Sequence, residues 1–256
     1  MKVATRPGRT PRAGTQRRTP ARARRDAGGQ LATPGLLQLI RLASPSLPVG
    51  GFSYSEGIES AVDASLVRDE ASAAAWLGDQ LALALVRSDL PVVARALAAW
   101  RSGDGESVAA WNLWFSTTRE TSELRRQSEQ MGRSLALWLR QRDGEDIRVA
   151  LLQALAPAPT WPVAFALAAA DSGAAAHDVL ACYAAAWAEN MTQAALKAVP
   201  LGQAAAQRIL AALFAEIPRA VGRALDLPAR EMQASAPMLA ILSAKHEDQY
   251  SRLFRS

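Results

Sequence analysis

Apolar residues recur along this chain with a period near 3.6, and no stretch alternates β-branched with polar residues as a half-buried strand requires. Every cluster of Gly and Pro falls between apolar helical stretches. That pattern restricts the fold class to all-α, a single irregular bundle of about ten helices. Half of the 256 residues are apolar, enough for a sizeable core. Alanine supplies much of that half, so helices can approach closely around a core lean in aromatics.

Taken in order, the spacing predicts helices over 36–43, then from Asp69 and Glu70 to about Val86, with a fresh start at Asp89-Leu90-Pro91 running to Trp100. Further helices follow over 106–115, 118–140, 145–155, 162–170 and 175–198. A helix over 201–225 is kinked or split by Pro218, and a last one covers 238–246.

Residues 1–34 stand apart. They carry nine of the 29 basic residues and one acid, Asp26, with almost no large apolar side chain. Such an Arg/Pro/Gly-rich segment cannot offset its ordering entropy, so a disordered extension is expected, followed by one helical domain over 35–256. The other 222 residues hold 20 basic and 23 acidic groups, so the body is mildly acidic. Arginines in the extension permit a nucleic-acid arm, but no aromatic interleaves with them to stack on bases. No apolar run of membrane-spanning length exists. No signal-like h-region is present and the single cysteine, Cys182, excludes an intramolecular disulfide, which points to the cytoplasm.

Between the first two helices lies 44–62, SPSLPVGGFSYSEGIESAV. Pro45, Pro48, Gly50 and Gly51 hold its backbone irregular, and Phe52, Ser53 and Tyr54 follow at once. Ser55 reads as an N-cap with Glu56 in the first turn. Glu56 and Glu59, at i, i+3, read as one solvated face.

Catalytic patterns are missing. His177 and His246 lack ligand-spaced partners, and no phosphate loop or nucleophile elbow occurs. No metal site, cofactor or reaction is therefore expected, and the chain does not read as an enzyme. Three segments look built for contact. ETSELRRQSEQMGR over 120–133 puts Glu123, Arg126 and Gln130 on one line, with Arg125 nearby. Lys197, one of three lysines, sits beside the Pro200 break. The ending KHEDQYSRLFRS interleaves Tyr250, Leu253 and Phe254 with Arg252 and Arg255, the anchor types of protein interfaces.

With these residues in view, SPSLPVGGFSYSEGIE, ELRRQSEQMGRS, LKAVPLGQ and KHEDQYSRLFRS together resemble the urease accessory protein UreF family. The resemblance covers all but the basic extension. The family's ending, H-E-x-x-Y-S-R-L-[FY]-x-S, is matched by His246, Glu247, Tyr250, Ser251, Arg252, Leu253, Phe254 and Ser256. It implies an all-α, dimeric, cytoplasmic assembly factor that bridges UreD (UreH in some organisms) and the GTPase UreG, coupling nickel insertion into apo-urease to GTP hydrolysis. It also implies that the C-terminal segment docks on UreD, and that Arg252, Phe52 and Lys197 serve the UreG side. The partner-binding set is thus Phe52, Ser53, Tyr54, Glu56, Glu123, Arg125, Lys197, His246, Glu247, Tyr250, Arg252, Leu253 and Phe254. Two alternatives stay open: a regulator that activates or gates UreG, and a nucleic-acid binder acting through the extension. On its own the segment from Tyr250 onward is expected to be mobile and to order on binding UreD.

Overall fold

The computed structural model describes residues 31–255. The expected extension lies outside these up to residue 30, but its last four residues belong to the body. Leu31 packs against the core and α1 (Thr33–Ala43) begins with Pro34 in its first turn.

The remaining helices are α2 (Ile58–Asp63), α3 (Glu70–Gln80), α4 (Leu90–Ser102), α5 (Gly105–Thr118), α6 (Ser122–Asp143), α7 (Ile147–Gln153), α8 (Trp161–Ala170), α9 (Ala176–Ala198), α10 (Gln203–Asp226) and α11 (Pro237–Glu247). The described residues contain no strand, and the all-α bundle is as the periodicity predicts. Side-chain caps fix several helix starts. Asp69 accepts from the Ser72 amide at 2.8 Å, Asp104 from Ser107 at 3.0 Å and Thr121 from Leu124 at 3.3 Å. Each such cap is worth about 1 kcal/mol. The Thr121 cap also explains why the long charged helix starts at Ser122 and not at Thr118.

Three expected punctuation marks behave differently. No restart occurs at Pro91: α3 and α4 are joined by a π-helical stretch, Leu81–Asp89, into one rod. There the Leu90 amide reaches back five residues to the Leu85 carbonyl. The widened turn accommodates a proline that lacks an N–H and would clash inside a regular helix. Counting this rod once, the described residues form ten helices. Pro218 neither splits nor ends α10, because its ring faces solvent while Ile217, Ala220 and Val221 anchor the helix on its other side. Ser55 does not cap α2. Glu56 (φ 48°) and Gly57 (φ 79°) are both left-handed, so helical geometry begins only at Ile58.

At the centre sits α8, WPVAFALAAA, with every residue from Pro162 to Ala170 buried. A helix apolar all round is a core element, and its alanines let α4, α6, α1 and α9 close around it. Trp100 of α4 donates to the Val163 carbonyl at 3.0 Å, and Arg101 donates to the carbonyls of Ala170 and Ala174 just beyond its end. Where α6 crosses the connection before α8, Gly132 is obligatory: a Cβ there would lie 2.0 Å from the Pro159 carbonyl oxygen. One buried cluster runs from Leu39 of α1 to Leu242 of α11 and takes in Phe254 beyond the last helix. That last member positions the site.

Candidate partner-docking site

The segment after α11 is not free, contrary to the expectation for it alone. It folds back as a strap across the starts of α2 and α6 and the end of α9. Its fastening begins at His246, whose side chain is wholly buried. Nδ1 lies 2.8 Å from Glu123 Oε2, and Nε2 lies 3.2 Å from Glu59 Oε2. Both ring nitrogens thus face carboxylate oxygens. Glu247 caps α6: its carboxylate accepts from Ser122 Oγ at 2.8 Å and from the Glu123 amide at 3.1 Å. The Ser122 bond first, with the amides of that helix N-terminus, holds the Glu247 carboxyl below its usual range.

Farther along, Arg252 Nη1 donates to Glu123 Oε1 at 2.8 Å, Nη2 donates to the Glu247 carbonyl, and Nε donates to the Gln249 carbonyl at 3.1 Å. The amides of Leu253 and Phe254 donate to the two oxygens of Glu59, at 2.7 and 2.9 Å. Phe254 is buried beneath the exposed Lys197, whose ammonium sits 5.7 Å from the ring centroid. The Arg255 amide donates to the Ser53 carbonyl at 2.9 Å. Tyr54, buried beside Arg255, has its phenol pushed up by burial, with the arginine opposing.

The energetics favour closure. Ordering the strap costs about 1–2 kcal/mol per residue. Burying Phe254 returns about 1.5–3 kcal/mol, which does not suffice alone. Hydrogen bonds to charged groups contribute about 1.5–3 kcal/mol each, and the strap makes several.

Nine of the predicted residues therefore meet in one clasp: Ser53, Tyr54, Glu123, Lys197, His246, Glu247, Arg252, Leu253 and Phe254. Several of them are interior supports. Tyr54, Glu123, His246 and Phe254 are buried and cannot touch a partner while the strap is closed. Outward display falls to Tyr250, which is fully exposed, Leu253 at 61 % and Phe52 at 63 %, with Arg125 also exposed.

Glu56 does not join the clasp. Its carboxylate turns inward, accepting from Trp187 Nε1 at 2.9 Å and Gln127 Nε2 at 2.6 Å. The solvated-face expectation for Glu56 and Glu59 is thus corrected: both carboxylates face protein groups, Glu56 those of Trp187 and Gln127 and Glu59 the strap amides. Glu56 borders a cavity of about 60 Å³ together with Asp89, Arg119, Gln127 and Trp187. Asp89, at the end of the π-helical stretch, accepts from Tyr183 at 3.1 Å and pairs with Arg119 at 3.5 Å. Burial pushes the Glu56 carboxyl up, opposed by the Trp187 bond. The Tyr183 phenol is also raised, first by burial.

Sequence reasoning missed Glu59 as a fastener and Asp89, Arg119, Tyr183 and Trp187 as a network. Their partners lie many residues away and no local spacing marks them.

The arrangement binds and positions. Cys182 is not a poised nucleophile: burial pushes its thiol up to about 12 while it donates to the Leu39 carbonyl. Among the described residues, no group of three or more His, Cys, Asp or Glu side chains is disposed to hold a metal ion.

A family model described as UreF matches residues 67–214. The chain is 63% identical over 230 residues to the urease accessory protein UreF of Paracidovorax citrulli (strain AAC00-1), covering 88% of this chain and 91% of that one. It is 62% identical over 222 residues to the same-named protein of Methylibium petroleiphilum, covering 86% and 94%. Against the UreF of a Polaromonas species the identity is 57% over 227 residues, covering 89% and 97%.

Proposed function

The chain belongs to the urease accessory protein UreF family, and from that premise we propose that it bridges UreD (UreH) and the GTPase UreG in the complex that inserts nickel into apo-urease. It works there as a cytoplasmic homodimer without chemistry of its own, and nickel is the cargo of the assembly. Among the described residues, no helix is long and apolar enough to cross a membrane. The observation that carries this reading is the closed strap. It holds Tyr250 and Leu253 outward over a fastened base, the presentation an aromatic and aliphatic docking anchor needs. UreD takes the Tyr250 and Leu253 side, and Arg252, Phe52 and Lys197 organise the side that recruits UreG.

Co-purification tests the bridge. The full chain should capture UreD and, with it, UreG, whereas a chain lacking residues 250–256 should keep its helicity and dimerisation and lose UreD and urease activation. Capture of UreD at full strength by the shortened chain would refute the docking assignment. GTP hydrolysis by UreG, measured with and without this protein, separates scaffold from activator, since a supplied arginine finger is worth about 10³–10⁵ in turnover.

A further inference from the structure

We propose that Glu59 is the positioning residue that latches the strap, and through it sets Arg252 and Leu253 in the arrangement a partner meets; the partner half of this rests on the docking reading above. Glu59 stands at the start of α2, its side chain 13 % exposed, and three groups of the C-terminal region converge on its two oxygens. Oε1 takes the Leu253 amide, while Oε2 takes the Phe254 amide and faces His246 Nε2. Two consecutive backbone amides on one carboxylate fix the direction of the chain at that point, because both donors must point the same way. That direction turns Phe254 into the core under Lys197, leaves Leu253 outside, and keeps Arg252 within reach of Glu123.

Glutamine has the shape of glutamate but not its bonding. It offers one acceptor oxygen, and its amide nitrogen presents hydrogens to an amide that is itself a donor. One of the two strap amides then loses its partner. The latch should open without emptying the core, since nothing in the substitution changes side-chain volume.

Hydrogen exchange on the full chain, followed by UreD capture, tests this with four proteins: wild type, Glu59→Gln, the chain lacking residues 250–256, and the two changes combined. In Glu59→Gln, exchange at the Leu253 and Phe254 amides should quicken by about tenfold or more while the helix amides of α8 and α9 stay protected. Its affinity for UreD should fall by about tenfold, and the substitution should add nothing once the strap is gone. Unchanged exchange at 253 and 254 overturns the proposal. So does a drop in α8 and α9 amide protection when Glu59→Gln is added to the shortened chain, which would place the effect of Glu59 in the body. If α2 itself loosens in Glu59→Gln, Leu253→Pro compared with Leu253→Ala isolates the missing amide, and equal exchange at Phe254 and equal capture by these two again overturn it. A shortened chain that captures UreD undiminished overturns the docking reading, and the positioning role with it. Undiminished capture by Glu59→Gln beside an inactive shortened chain overturns the role of Glu59 alone.

Discussion

Glu56 and Glu59 are three apart, and on a continuous helix they would share a face. The helix begins only after Glu56, so one carboxylate enters a cavity and the other takes the strap. Nothing local in the sequence announces this, because the decisive partners, Trp187, His246 and Leu253, are more than a hundred residues away. The chemistry that follows is measurable. A carboxyl raised in the folded state binds its proton more tightly there than in the unfolded chain. Its contribution is therefore full below the unfolded value of 4.5 and is lost as pH rises through the folded one. Urea unfolding of wild type against Glu56→Gln should show a wild-type stability that declines with rising pH above 4.5 relative to the variant; parallel profiles would contradict it. His246→Ala leaves two inward carboxylates without the ring between them, and should destabilise by about 3–5 kcal/mol. Melting should drop by roughly 2–4 °C for each kcal/mol, and a drop under about 2 °C in all would show that the ring is not the pin.

Element by element, the helices were legible and the joints less so. The Gly and Pro breaks between apolar stretches located α1, α5, α8, α9 and α11 to within a few residues. Prolines misled, because proline acts through its neighbours' geometry as much as its own. Pro91 is absorbed by a π-helical stretch and Pro218 by a solvent-facing position, and neither accommodation is written in the dipeptide. The motif QMGR illustrates the opposite case, a residue choice with a wholly non-local cause. Gly132→Ala would push a methyl against the Pro159 carbonyl and force α6 away from α8. A cost of about 1–3 kcal/mol, typical of overpacking, is expected in chemical denaturation. A substitution with no measurable cost would show that this crossing has room to spare.

Over the whole molecule, the fold class could be read from sequence, while the closed state of the ending could not. A strap is held by groups supplied from α2, α6 and α9, so no single stretch contains the information. A chain beginning at Leu31, the first described residue, should match the full chain in melting temperature and in UreD capture. A lower value of either would give residues 1–30 a part in assembly. One more property follows from the start of α2, where only Gly57 and Ile58 separate Glu56 of the cavity from Glu59 of the latch. Thermodynamic linkage is reciprocal, so a partner that shifts this short helix on docking must also change how tightly Glu56 holds its proton. Complex formation would then exchange protons with the solvent, and its calorimetric heat would depend on the ionisation enthalpy of the buffer.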